Sequence, residues 1–178
     1  MLDIEKIKFI LKDYPYIAAA YLFGSHVSGK SGSMSDVDIA ILLKDNAPKG
    51  RELIHEEDYL SYRITDALQA KEVDLIELNR QGLIFVHNVL KTGKLIYDAD
   101  HGFRIRFVTK IISDYCDFEP TLRFMNKYYF NLPKFRTYED AYNATEAEYL
   151  ERYGASRYKN YDVFRSALCR WLAQGRNK

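Results

Sequence analysis

Two aspartates, Asp36 and Asp38, stand two residues apart where the apolar run Val37-Asp38-Ile39-Ala40-Ile41-Leu42-Leu43 begins. In a strand, alternate residues share a face, so both carboxylates are expected on one face of a sheet. Val37, Ile39, Ile41 and Leu43 then face the other way, toward a core. Two acidic groups on one rigid edge offer hard oxygen ligands, and Mg²⁺ is the usual occupant of such a site when phosphates are near. Upstream lies Gly24-Ser25, ten intervening residues before Asp36. Glycine lets a backbone approach a ligand closely, and successive N–H groups there can grip phosphate. A third carboxylate, Asp74, sits in Lys71-Glu72-Val73-Asp74-Leu75-Ile76-Glu77-Leu78, a second strand-like run. Asp74, Ile76 and Leu78 share a face by period two, whereas Glu77 alternates away and is not expected to be a ligand. A carboxylate inside an apolar strand is rarely buried unless paired or coordinating. That argument singles out Asp38 and Asp74; Asp36 taken alone also reads as a turn residue.

The same stretch fits a second pattern. Gly24-Ser25-His26-Val27-Ser28-Gly29-Lys30-Ser31 matches G-x-x-x-x-G-K-[ST], the phosphate loop of many ATPases and GTPases. That loop must open a helix whose N-terminus faces the phosphates. Here Gly32-Ser33-Met34-Ser35 follow, and strand residues begin by Val37, which leaves no room for a helix of ordinary length. Lys30 and His26 lie near the phosphates in either version of the loop. Lys30 reads at least as well as a solvated loop lysine as it does as a charge-neutralising phosphate contact; His26 could contact phosphate, but a loop histidine with no such role is the commoner case.

Gly24-Ser25, then Asp36-Val37-Asp38, then Asp74 after a helix, resembles the nucleotidyltransferases of the DNA polymerase β superfamily. The small size and the strand Val73-Asp74-Leu75-Ile76-Glu77-Leu78 resemble the minimal nucleotidyltransferase (MNT) branch, which includes antitoxins of HEPN–MNT toxin–antitoxin modules. The resemblance covers about residues 1–135. It implies an α/β (α+β) fold, a small mixed sheet flanked by helices. It implies that Asp36, Asp38 and Asp74 ligate metal and carry catalysis, and that Gly24 and Ser25 grip the β- and γ-phosphates, with Lys30 beside them. It implies ATP and Mg²⁺ as cofactors. It also implies an antitoxin that transfers AMP to a tyrosine of a cognate HEPN ribonuclease toxin. Two alternatives remain: a small-molecule transferase of the aminoglycoside type, and an antitoxin that acts by contact alone.

The elements that must position these residues follow from periodicity. Asp3 is expected to cap a helix carrying Ile4, Ile7 and Leu11. Residues 16–23 are apolar throughout, which suits a strand buried on both faces. Residues 49–70 read as a long helix. Asn79 is expected to cap a shorter one carrying Leu83, His87 and Leu90, with His87 as a hydrogen-bonded core histidine. Gly93 should stop that helix, and residues 94–97 look like an edge strand. Two further helices are expected over 100–118 and 120–129, broken near Pro120.

Past Pro133 the composition changes. Residues 136–178 read as a Tyr-rich helical extension to the 1–135 domain, either natural or an expression remnant. Thr137 resembles a capping residue, with Tyr138, Tyr142, Tyr149 and Tyr153 near one stripe of the helix that follows. A last helix is expected to turn Val163, Ala167, Leu168 and Trp171 inward. This extension is either an amphipathic pair packed against the domain or a partner-binding surface.

Bulk properties bound the rest. A hydrophobic share of 47% suits a globular core. The formal charge of +1 hides a mild split, since residues 1–98 hold 12 of the 26 basic and 15 of the 25 acidic residues. That asymmetry is too weak for a nucleic-acid-binding surface. Cys116 and Cys169 have no metal-ligand spacing and read as reduced thiols. The opening MLDIEKIKFI lacks a signal-peptide core, and no apolar run is long enough to span a membrane. A cytoplasmic protein is the expectation.

Overall fold

The computed structural model describes residues 2–27 and 36–175. They form two compact units, Met1–Tyr115 and Cys116–Lys178. In the first, α1 (Ile4–Leu11) is capped as expected: the Asp3 carboxylate accepts from the Lys6 N–H at 3.3 Å. The strand β1 (Ile17–Phe23) pairs antiparallel with β2 (Val37–Leu43). The helix α2 (Arg51–Leu68) then carries the chain over to β3 (Val73–Glu77), which lies parallel to β2. A parallel neighbour requires such a crossover. The helix α3 (Leu83–Thr92) leads to β4 (Lys94–Asp98), antiparallel to β1. The sheet order is β3-β2-β1-β4, a mixed sheet with β4 at one edge.

Both faces of the sheet are covered, which is why β1 is buried almost from end to end. On one face Val37, Ile39, Ile41 and Leu43 meet Ile7 and Leu11 of α1 and Leu53, Leu60 and Ile64 of α2. Each such side chain, fully buried, contributes about 1.5–3 kcal/mol. On the other face Tyr21, Ala40 and Leu42 meet Val86 and Val89 of α3. Phe103, Phe107 and Ile111, from the start of α4 (His101–Asn131), complete that layer.

Several local expectations give way to packing. Asn79 does not cap α3. Its side-chain amide instead donates to the Leu43 carbonyl at 3.0 Å and its oxygen accepts from the Leu43 N–H at 2.9 Å, tying the end of β2. Gly82 begins α3 with no side-chain cap, and Val86 and Val89, not Leu83 and Leu90, are its fully buried residues. His87 stacks on Tyr115 with ring centroids 3.5 Å apart, and its buried Nδ1 has no hydrogen-bond partner among the described residues. The two helices expected around Pro120 are one, since α4 runs through it. Proline there removes a single N–H donor, and the turns on either side hold the helix.

In the second unit, α5 (Tyr138–Tyr153) begins at Thr137, whose hydroxyl accepts from the Asp140 N–H at 3.1 Å. Tyr142 of α5 joins Phe124, Met125 and Tyr128 of α4 and Phe164 of α6 (Tyr161–Gly175) in a separate core. The expected tyrosine stripe is not a buried row: Tyr142 is buried, but Tyr138 and Tyr153 are exposed. On α6 it is Phe164 that turns inward while Val163 is exposed, one position from the expected register. The larger aromatic ring wins the core position because it contacts Phe124, Tyr128 and Tyr142 at once. No helix of the described residues is long and apolar enough to cross a membrane.

The junction of β4 and α4 is electrostatic. Arg104 donates to Asp98 at 2.8 Å, and this bond, with a second from His101, holds the Asp98 carboxyl below the usual carboxylate range. A carboxyl depressed in the folded state contributes stability above its unfolded value and loses it as pH falls. The Asp98→Asn variant should therefore be less stable than the parent at pH 7, by about 1–2 kcal/mol for a partly exposed charge-assisted bond. That gap should shrink between pH 5 and 3. Urea melts at both pH values measure it, and a gap independent of pH would refute this account.

Candidate active site

β1 ends at Phe23, and the chain turns through a single 3₁₀ turn, Gly24–His26. Gly24 has φ +70°, a left-handed conformation that glycine adopts without strain. Its missing side chain matters as much as its φ. A Cβ on Gly24 would lie 2.0 Å from Asp38 Oδ2. The turn is thus pressed against the carboxylate of β2, and the Ser25 backbone N–H donates a hydrogen bond to that carboxylate. The register places Phe23 opposite Asp38, and Asp38 beside Asp74. Paired residues on neighbouring strands share a face. One row across three strands therefore reads Asp74, Asp38, Phe23, on the face covered by α3 and the start of α4.

Asp38 is partly buried, and its carboxyl is pushed above the usual range. Burial is the main cause, with Asp74 and then Asp36 adding like-charge repulsion. His26 and the Ser25 N–H act in the opposite direction. Asp38 thus senses both other carboxylates, and the set carries negative charge that a cation would neutralise. Asp36 lies just before β2 begins; it is exposed, with Lys71 Nζ 3.6 Å away. Asp74 is exposed on β3. Among the described residues, no three His, Cys, Asp or Glu side chains are gathered closely enough to hold a metal ion. The donor chemistry nonetheless fits a hard divalent cation: three carboxylates around one edge, the central one destabilised by the other two. Lys30, with Ser28, Gly29 and Ser31, lies outside the described residues.

Other groups fall where the alternation requires. Glu77 is turned from Asp74, and its carboxylate pairs with Arg80 at 3.0 Å. Cys116 and Cys169 are free and exposed. His26, which the sequence leaves open as a phosphate contact or a loop histidine with no such role, lies in the Gly24–His26 turn and acts on the Asp38 carboxyl.

A family model, polymerase β nucleotidyltransferase, matches residues 5–102, which hold all three aspartates and the Gly24–Ser25 turn. The chain is similar to a protein adenylyltransferase MntA of Shewanella oneidensis, 29% identical over 109 residues, or 61% of this chain and 73% of that one. Among solved structures it is similar to a chain of a toxin–antitoxin crystallised with AMP-PNP. That match is 27% identical with a TM-score of 0.56, covering 68% of this chain and 94% of the other. It also matches a chain of a tri-AMPylated Shewanella oneidensis HEPN toxin in complex with its MNT antitoxin. Here the identity is 25% and the TM-score 0.51, covering 67% of this chain and 89% of the other.

Proposed function

The chain belongs to the polymerase β nucleotidyltransferase family, and from that premise we propose that it transfers AMP from ATP to a tyrosine of a HEPN-type toxin and acts as its antitoxin. The observation that carries this reading is the row Asp74–Asp38 with the Gly24–Ser25 turn held against it. A carboxylate pair next to a backbone turn able to meet phosphate suits phosphoryl chemistry at one edge of a sheet. The relatives named above, an adenylyltransferase and an AMPylated HEPN toxin with its MNT antitoxin, support AMP as the group moved and a HEPN toxin as the acceptor.

In this reading Asp36, Asp38 and Asp74 would hold Mg²⁺, and Asp36 would leave Lys71 to do so. When bound, that ion would supply Lewis-acid stabilisation of the negative charge that develops in phosphoryl transfer. The Gly24 backbone N–H and the Ser25 hydroxyl would hold the β- and γ-phosphates, the Ser25 N–H would leave Asp38 to join them, and Lys30 is assigned to the same phosphates. The tyrosine oxygen attacks the α-phosphorus, the bond from that phosphorus to the bridging oxygen of the β-phosphate breaks, and pyrophosphate departs. Asp74, the outermost carboxylate of the row, accepts the phenol proton.

The test is to incubate the protein with ATP, Mg²⁺ and the HEPN toxin, and to measure products. Pyrophosphate and a toxin heavier by AMP on tyrosine are expected. ADP and inorganic phosphate as the products would overturn the reading.

A further inference from the structure

The second unit holds a cavity of about 450 Å³ between α4 and α5. That volume is within the range of small-ligand sites, about 300–1,000 Å³. The family match ends at residue 102, before this unit begins. Across the helix pair, Asn131 bonds to Thr145, and one turn further along Lys127 pairs with Glu148 at 2.6 Å. The floor is Phe124, which is fully buried, with the Tyr149 ring centroid 5.6 Å from its own.

At one end two arginines from different helices converge on one tyrosine. Arg123 of α4 reaches the Tyr153 hydroxyl, and the Arg152 guanidinium of α5 lies 5.6 Å from the centre of the Tyr153 ring. Both line the cavity. Like charges gathered around one side chain repel each other. Arg123 is answered by Glu119 at 2.7 Å, but that pair is solvent-exposed, and such pairs contribute little. Among the described residues no carboxylate pairs with Arg152. This end of the cavity therefore carries positive charge without a full counter-charge.

We propose that the cavity binds a nucleoside monophosphate, with the phosphate between Arg123 and Arg152 and the base against the aromatic lining. Planar guanidinium forks match phosphate oxygens in geometry as well as charge. One phosphate dianion balances two guanidiniums. Lys127 is already neutralised by Glu148, so no third cation of the lining is left for a polyphosphate tail. Tyr149 and Phe130 line the cavity and neither is fully buried, which leaves ring surface for a base. The site is on a different unit from the carboxylate row, and the inference does not rest on AMP transfer.

Calorimetric titration of the full chain with AMP in EDTA tests this, because chelation removes any divalent cation from the carboxylates. Adenosine and ribose 5′-phosphate are the comparison probes. The parent should bind AMP more tightly than either. Arg152→Gln, at parental Tm, should weaken AMP about tenfold, the scale of one charged hydrogen bond, and leave adenosine unchanged. Asp38→Asn should bind AMP as the parent does. The proposal is overturned if the parent does not bind AMP, or if Arg152→Gln binds it as the parent does. It is overturned too if Arg152→Gln loses AMP and adenosine equally. Ribose 5′-phosphate bound as tightly as AMP would leave an anion site with no place for the base, and would also overturn it. Loss of AMP binding in Asp38→Asn would assign the nucleotide to the carboxylate row instead. Should Arg152→Gln lower Tm, Arg123→Gln decides by the same criteria.

Discussion

Asp38→Asn should abolish AMP transfer while leaving the protein folded. Asp38 is the central carboxylate of the row, flanked by Asp74 on β3 and sensing Asp36 before β2. The amide has nearly the same volume and keeps an oxygen that can accept from the Ser25 N–H. It loses the negative charge that a hard cation requires. Metal-assisted charge stabilisation is worth several kcal/mol, so a loss on the order of a thousandfold in rate is expected. Stability should hold or rise, because the substitution removes one of three mutually repelling charges. The checks are AMP adducts on the toxin by mass spectrometry and Tm by calorimetry. Activity within tenfold of the parent, at parental Tm, would remove Asp38 from the chemistry. The same variant separates catalysis from contact. If cells carrying the toxin are rescued equally by Asp38→Asn and by the parent, and no adduct forms with either, inhibition comes from binding alone.

Gly24→Ala should damage both fold and site. The left-handed φ of +70° costs a residue with a Cβ about 1–2 kcal/mol. The new methyl would also start 2.0 Å from Asp38 Oδ2, so either the turn or the carboxylate must move. Asp38 is held in a strand bonded on both sides, so the turn is the part that yields, taking with it the Ser25 N–H. A fall in stability of about 1–3 kcal/mol is expected, with transfer reduced on the order of a hundredfold for a displacement near 1 Å. Urea melts and the adduct assay measure the two losses. Gly50 is the control. It also has positive φ, +60°, but nothing lies within 4 Å of where its Cβ would be. Gly50→Ala should therefore share the stability loss and spare the activity. Equal activity losses at the two positions would show that backbone strain, not the approach to Asp38, governs Gly24.

The sequence by itself determined what depends on near neighbours. Asp3 and Thr137 cap their helices because a side-chain oxygen reaches an N–H three residues on. Gly154 ends α5 in a left-handed conformation, φ +73°, that suits glycine, and Gly93 ends α3 where a Cβ would crowd the Val89 carbonyl. The apolar runs at 17–23 and 37–43 are strands because a mixed sheet covered on both faces buries every residue of its centre. Asp38 within such a run, preceded by Gly24-Ser25 and followed by Asp74, already pointed to phosphoryl chemistry and to the fold that the family match bears out.

Tertiary packing decided the rest. Asn79 looked like a cap, but the unpaired backbone of Leu43 at the end of β2 offered it two bonds at once. Pro120 looked like a break, yet α4 continues through it. Phe164 took the core place that periodicity gave to Val163, because only a ring fills the space between Phe124, Tyr128 and Tyr142. No spacing rule could place Asp74 beside Asp38 or Phe23 opposite it. Those neighbours belong to three strands whose register is set by burial on both faces. The close approach of Gly24 to Asp38 follows from that register, and it is the register that turns three separated motifs into one site.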